Sequence, residues 1–255
     1  MNIKKIIDIK NLFVDDRLIN ITEQVFAGEQ IHLLGANGAG KSTLLAALSG
    51  FLNIKGLIQV NGYNIKDYTS HDLGQQRAYL TQKIDSTPIL KVFQYLELFM
   101  LSKSHLTDLF DSLCADFQLE QLLHKSVNQL SGGEWQRVRI VAIFLQVWNS
   151  PLLCGKFILF DEPTNNLDII QQATLDKWIK YFCHCSGTVI MSGHNLSHSY
   201  KNASRIWMIK KGQLIASGKP EEVMTENNLS EMFMSEVRLS QNATNKMWQV
   251  INFDD

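Results

Sequence analysis

The chain has no excess of charge of either sign. Lys+Arg total 24 and Asp+Glu 25, a formal net charge of -1, so the overall balance draws it neither onto nucleic acid nor onto acidic lipid. Long apolar runs are also missing. The run Ile140 to Leu145 falls far short of the roughly 18 residues a membrane span needs, and the apolar stretch Pro88 to Leu101 carries Lys91, Gln94 and Glu97. At the N-terminus Asp8 and Lys10 interrupt any signal-peptide core. These absences predict a soluble, cytosolic chain whose membrane role, if any, runs through a partner. Cysteine is sparse: Cys114, Cys154, Cys183 and Cys185. The Cys183-His184-Cys185 triplet fits no common zinc spacing and has no second ligand pair nearby, so free thiols are the reading. No internal repeat and no low-complexity segment is evident.

What is present suits a globular protein with a sizeable core. Of 255 residues 45% are hydrophobic and 19% charged, enough for one large domain or a core plus a sub-domain. Short apolar runs at Ile6 to Ile9, Leu18 to Ile21 and Gln30 to Leu34 read as strands. Ser42 to Leu52 has helical character, and Gly56 to Val60 followed by Asn61-Gly62 reads as a strand and a tight turn. From 86 to 150 the pattern changes: Leu90, Phe93, Leu96, Leu98, then Leu106, Leu109, Phe110, Leu113 and Phe117 recur near helical spacing. Strand signals return at Phe157 to Phe160, Thr188 to Met191 and Ile206 to Ile209, and Lys210-Lys211-Gly212-Gln213 reads as a hairpin turn. A helical sub-domain inserted into an α/β core is the expectation.

Gly35-Ala36-Asn37-Gly38-Ala39-Gly40-Lys41-Ser42 matches G-x-x-x-x-G-K-[ST] between an apparent strand and an apparent helix. Glycines let the backbone curl so that successive N–H groups point at phosphate oxygens, and the helix N-terminus adds partial positive charge. Lys41 is expected to reach the β- and γ-phosphates of a nucleotide and Ser42 to offer its hydroxyl to Mg²⁺. Phe157-Ile158-Leu159-Phe160-Asp161-Glu162 is an apolar strand ending in two carboxylates. Asp161 is placed to hold Mg²⁺, directly or through water, and Glu162 to orient or deprotonate an attacking water.

Leu130-Ser131-Gly132-Gly133-Glu134-Trp135-Gln136-Arg137 lies between these two motifs. Ser131 can cap a helix whose first N–H groups are exposed by two glycines. This octad resembles the signature motif of ATP-binding cassette (ABC) ATPases, and the resemblance covers nearly the whole chain. It implies an α/β fold: a P-loop nucleotide-hydrolase core of ABC ATPase type with an antiparallel β sub-domain (1-85 and 151-255) and an inserted helical sub-domain (86-150) carrying the signature. Gln82 resembles the family's Q-loop glutamine, a Mg²⁺ and nucleotide sensor; Asn166-Leu167-Asp168 resembles its D-loop; and His194 in Met191-Ser192-Gly193-His194 resembles its switch histidine. The implied site then comprises Glu162, His194 and Gln82 as catalytic groups. Nucleotide contacts fall to Gly35, Ala36, Asn37, Gly38, Ala39, Gly40, Lys41, Ser42 and Thr43, with Ser131, Gly132, Gly133 and Asp168, and metal contacts to Ser42, Gln82 and Asp161.

Family resemblance also implies the assembly. Each nucleotide lies between the phosphate loop of one copy and the signature helix of another, so one set of motifs implies a dimer of this chain. The implied ligands are ATP and Mg²⁺. The implied partners are two membrane permease subunits, contacted near Gln82 and through exposed residues among Thr87 to Leu101, and, indirectly, a periplasmic substrate-binding protein. Nucleic acid is not among them. Ser131 and Asp161 stand 30 positions apart, with extra residues around Val147 to Lys156. This extension, with Gly133-Glu134-Trp135-Gln136-Arg137-Val138-Arg139 and Gln76-Arg77-Ala78-Tyr79-Leu80, resembles the ATPase subunits of bacterial cobalamin importers, with iron–siderophore and haem importers as the alternative. The implied location is the cytoplasmic face of the inner membrane, and no large regulatory domain is expected after the core. Soluble repair or translation cassettes carry long coiled coils or two cassettes per chain, which 255 residues do not hold. Three positions depart from the family pattern. No clear aromatic for the adenine stands before the phosphate loop, Phe13 belonging with the first strand; Asn195 follows His194 where Asp is common; and Asn165-Asn166 open the D-loop in place of small residues.

Overall fold

A computed structural model of the chain describes residues 4–82, 87–100, 107–148, 152–242 and 245–251. Both expected sub-domain boundaries, 85/86 and 150/151, lie outside the described residues.

The chain opens with two long strands, β1 (Lys5–Val14) and β2 (Leu18–Phe26), paired antiparallel. The first includes Phe13, so that ring sits on a strand as expected. Strand β3 (Gln30–Leu34) is buried along its whole length and runs straight into the phosphate loop and α1 (Lys41–Leu48). The helix is shorter than the sequence suggests. The N–H groups of Gly50 and Phe51 fold back onto the carbonyls of Ala47 and Ala46, which satisfies the last helical carbonyls and stops the helix four residues before Leu52. Next come β4 (Lys55–Val60), β5 (Tyr63–Asn64), α2 (Ser70–Gln76) and β6 (Arg77–Leu80). Helices α3 (Val92–Met100), α4 (Thr107–Asp116) and α5 (Gly132–Val147) follow. The remaining core alternates strands and helices: β7 (Phe157–Phe160), α6 (Ile169–His184), β8 (Thr188–Ser192), α7 (Leu196–Asn202), β9 (Arg205–Lys210) and β10 (Gln213–Gly218). Two short helices, α8 (Pro220–Val223) and α9 (Glu226–Phe233), lead into a hairpin of β11 (Glu236–Asn242) and β12 (Asn245–Ile251). The sequence patterns named no element in this last stretch.

Two sheets organise the core. The first is antiparallel, in the order β2-β1-β4-β5; the second has six strands, β10-β9-β3-β8-β7-β6, parallel from β9 to β6. Strands β3, β7 and β8 have no exposed residue, as a parallel sheet covered on both faces requires. Leu44 and Leu48 of α1 pack between the sheets with Ile7, Val25, Ile58 and Trp207. On the opposite face Leu96, Leu113, Phe117, Val138 and Phe144 of the helical segment share one apolar cluster with Phe160, Trp178 and Phe182 of the α/β core. That sharing ties α5 to the end of β7, where the carboxylates lie. No helix among the described residues is long and apolar enough to cross a membrane.

Candidate nucleotide site

The parallel strands β3, β7 and β8 all end on one edge, and each delivers part of the site there: the phosphate loop after β3, Asp161-Glu162 after β7, Gly193-His194 after β8. A cavity of about 680 Å³ opens between them. It is lined by Asn37, Gly38, Gly40, Lys41, Ser42, Thr43, Gln82, Glu162 and His194, with Asp16, Arg17, Lys211 and Gly212 closing the far wall. A second cavity of about 470 Å³ adjoins it through Arg17, Ser42, Thr43 and Gln82, and reaches Tyr79 and Asp161. Gly40 adopts φ +112 and a Cβ there would stand 3.0 Å from the carbonyl of Arg17, so only glycine fits comfortably where the loop turns into α1.

Electrostatics sharpen the phosphate end. Lys41 is 6% exposed and its ammonium donates to the carbonyls of Gly35 at 2.7 Å and Ala36 at 3.1 Å. Burial lowers its pKa, with the carboxylates of Glu162 and Asp161 pulling the other way. Helix α1 has no side-chain cap and no acidic residue in its first turn, so its N–H groups face the cavity unopposed.

The acidic end is a network. The Ser192 hydroxyl donates to Asp161 Oδ1 at 2.7 Å and accepts from the Glu162 backbone N–H at 2.9 Å. Glu162 sits at φ +51, which swings its carboxylate toward the cavity. One carboxylate oxygen accepts from Gln82 Nε2 at 2.6 Å and from Asn165 Nδ2 at 2.8 Å; the other is paired with His194 Nε2. Burial alone would raise the Glu162 pKa. Hydrogen bonds from Asn165 and His194, with the charges of His194 and Lys41, outweigh it and bring the carboxyl below its ordinary value, so it is ionised at neutral pH.

The structure therefore gathers Gln82, Glu162 and His194 with the phosphate loop and Asp161. Gly35, Ala36 and Ala39 line neither cavity; the carbonyls of Gly35 and Ala36 accept from Lys41 and that of Ala39 from the Gly212 N–H. Four expected residues stand elsewhere. Ser131, Gly132, Gly133 and Asp168 line neither cavity. Ser131 caps α5 in a reciprocal box with Glu134, and Asp168 caps α6 by accepting from the Gln171 N–H at 2.8 Å. Gly133 lies against Asn166, whose carbonyl oxygen would be 2.7 Å from a Cβ on it. Three neighbours of the site carried no sequence signal of a role in it. Ser192 reaches Asp161 because β7 and β8 align Phe160 with Met191. Asn165, seen only as a departure from family pattern, holds the carboxylate. Gly212 donates its N–H to Ala39 at 2.8 Å, bringing the β9–β10 turn onto the phosphate loop.

Comparison with known proteins agrees with this geometry. The family described as ABC transporter matches residues 18–165. A protein of Photorhabdus laumondii subsp. laumondii named vitamin B12 import ATP-binding protein BtuD is 49% identical over 93% of this chain and 94% of its own length. Its namesake in Yersinia pseudotuberculosis is 39% identical over 89% of this chain and 91% of its own. Among solved structures, an ATP-binding subunit of an ABC transporter superposes with a TM-score of 0.79 at 24% identity, over 90% of this chain and 98% of that one. An inward-facing putative metal-chelate type ABC transporter gives 0.75 at 22%, over 98% and 97%. The motifs, the fold they build and the extent of these matches together place the chain in the ABC transporter family, among its ATP-binding subunits.

Proposed function

We propose that the chain is the ATP-hydrolysing subunit of an ABC importer that energises vitamin B12 uptake across the bacterial inner membrane, working from its cytoplasmic face. One observation carries the hydrolytic part: an ionised Glu162 carboxylate at the mouth of the cavity that Lys41 floors, held by Gln82, Asn165 and His194. The cavity falls within the range of small-molecule sites, and the open N-terminus of α1 suits a polyanion. In this reading Lys41 and the loop amides grip the triphosphate. Ser42, Gln82 and Asp161 line one wall and offer the hard oxygen donors that Mg²⁺ favours; when bound, the ion neutralises phosphate charge. Glu162 positions the attacking water or takes its proton, and His194 steadies Glu162 and faces the terminal phosphate.

The dimer reading is supported by what the cavity leaves out. Ser131, Gly132, Gly133 and Asp168 are absent from its walls, so a second copy is the natural source of that side of the site. Ile169 and Ile170, at the exposed start of α6, are 82% and 66% accessible, an apolar pair suited to such a contact. Two integral permease subunits, fed by a periplasmic substrate-binding protein, complete the assembly. Gln82 and the exposed Ile89 and Leu98 are the candidate contacts. The cargo reading rests on the names and identities of the relatives.

The test is reconstitution with the co-expressed permease in proteoliposomes, reading ATP hydrolysis and labelled cobalamin uptake together. Uptake is expected to need both this chain and ATP. Glu162→Gln is expected to bind ATP normally while hydrolysis drops at least about 100-fold. Siderophore or haem uptake in place of cobalamin overturns the cargo; undiminished turnover by Glu162→Gln removes that residue from its role.

A further inference from the structure

No residue of α7 lines the phosphate cavity, yet this helix begins two positions after His194, and a buried to half-buried polar cluster holds it in place. Beneath it, His32 of β3 is 1% exposed. Its Nδ1 lies 3.0 Å from Ser199 Oγ and its Nε2 3.0 Å from Gln30 Nε2. The Gln30 amide nitrogen is a donor, so Nε2 accepts, and the one ring proton sits on Nδ1, facing Ser199. Burial, and secondarily the neighbouring His198, holds the His32 pKa down at about 3, so the ring is a neutral strut at any ordinary pH. To one side, His198 Nε2 lies 2.8 and 2.9 Å from the two carboxylate oxygens of Asp176 in α6. The His198 ring stacks over His32 with centroids 5.6 Å apart and planes 25° off parallel. Its backbone N–H donates to Asn195 Oδ1 at 2.9 Å, and Asn195 is the residue next to His194. On the outer side Trp248 of the C-terminal hairpin rests on Tyr200, centroids 5.3 Å apart.

Between this cluster and the His194 loop lies a small void of about 30 Å³ that Gly193, His194, His32 and His198 help to line, room for one or two water molecules. The loop is therefore not propped by packed side chains from behind. The loop runs from the end of β8, where the Gly193 N–H reaches the Leu33 carbonyl at 3.4 Å, to the cap of α7 at Asn195, so α7, held by Asp176 and His32, sets its far end. None of these groups is used by the hydrolytic chemistry described above, and the half-buried His198–Asp176 pair is a side-chain link from α7 to α6.

We propose that Asp176 is a positioning residue for ATP hydrolysis, acting through His198 and the start of α7 to set the reach of His194 to Glu162. The proposal rests on the assignment of Glu162 and His194 given above. Asp176 touches no reacting atom. Removing its carboxylate frees the His198 ring, lets the first turn of α7 shift into the void, and draws His194 off Glu162.

The experiment uses the full chain and begins with Glu162→Gln and His194→Ala; if neither lowers hydrolysis, the underlying assignment fails before Asp176 is tested. Given that both do, Asp176→Leu is expected to lower kcat about tenfold with KM for ATP and the melting temperature nearly unchanged. Asp176→Asn, which keeps an oxygen to accept from His198, is expected to recover most of that rate. In a His194→Ala background Asp176→Leu is expected to cost little more, because the two act through one contact. A second readout does not depend on turnover: the His194 Cε1–H resonance, assigned by its loss in His194→Ala, is expected to move in Asp176→Leu and to stay in place in Asp176→Asn. An unchanged kcat in Asp176→Leu, a loss confined to KM, or a loss fully additive with His194→Ala together with an unmoved His194 resonance overturns the proposal.

Discussion

Two helices of this protein begin at glycines, α1 just after a glycine-rich loop and α5 with Gly132 and Gly133 as its own first residues, and they begin in opposite ways. At α1 the N-cap is Gly40, no side chain closes the end and no acid sits in the first turn. At α5 the N-cap is Ser131, whose hydroxyl accepts from the Glu134 N–H at 3.2 Å while the Glu134 carboxylate accepts from the Ser131 N–H at 2.8 Å. Both ends carry the same four orphan donors and the same partial positive charge. One has left them for an outside anion, and the other has spent most of that field on its own glutamate. Backbone bonding at Ser131 and its hydroxyl, with Lys125 as a weaker influence, keeps the Glu134 carboxyl below its ordinary value despite the opposing effect of burial. A shared motif style thus separates into an open helix end that lines a cavity and a self-capped one that lines none.

The sharpest way to break the contrast is to give α1 the acid that α5 has. Thr43 occupies in α1 the position that Glu134 occupies in α5, and it borders both cavities. Thr43→Glu is expected to weaken ATP binding by at least about 100-fold, with a near-normal melting temperature. Equilibrium binding of a fluorescent ATP analogue beside a thermal melt checks it; tight binding would mean the open end of α1 is not the anion site. Next in size is Lys41→Ala, expected to weaken the same binding by roughly 10- to 100-fold, the scale of a lost charge-assisted hydrogen bond.

Acid is expected to act at neither helix start first, but beneath α7. His32 has a folded pKa of about 3 against 6.5 when unfolded. The unfolded chain therefore takes up a proton that the folded chain refuses, and stability falls as pH drops from 6.5 toward 3. Denaturant titrations at pH 7 and 5 should differ by about 2 kcal/mol more in the wild type than in His32→Gln; equal pH slopes would show that His32 does not stay neutral. The smallest effect belongs to α5. Ser131→Ala should cost about 1 kcal/mol of stability by losing the cap, with single-chain ATP binding intact, and chemical denaturation measures it.

The contrast between the two ends also marks what could be read from residues alone. The phosphate loop, the acidic strand and the capped start of α5 each lie within a dozen neighbouring positions, where glycine spacing, an apolar run and a serine before two glycines state their own chemistry; that Glu134 closes the α5 end is visible only in the structure. Ser192, Asn165 and the turn at Gly212 reach the site through strand register and loop packing, which leave no local mark. The end of α1 was set by two backbone bonds after Leu48 in place of the apolar residues that followed. The hairpin after α9 is not legible because its alternation is weak and its anchors, Val237 against Ser230 of α9 and Trp248 on Tyr200, lie on other elements.

The close approach of Asn166 to Gly133 has one more consequence. With the carbonyl of one residue standing where a side chain of the other would begin, the stretch following the two carboxylates and the opening turn of α5 leave no room between them for anything larger than glycine. Bulk added at Gly133 would press on Asn166 and through it on Asn165, which holds the Glu162 carboxylate, so a position bordering neither cavity is tied to the acidic end of the site by steric contact alone.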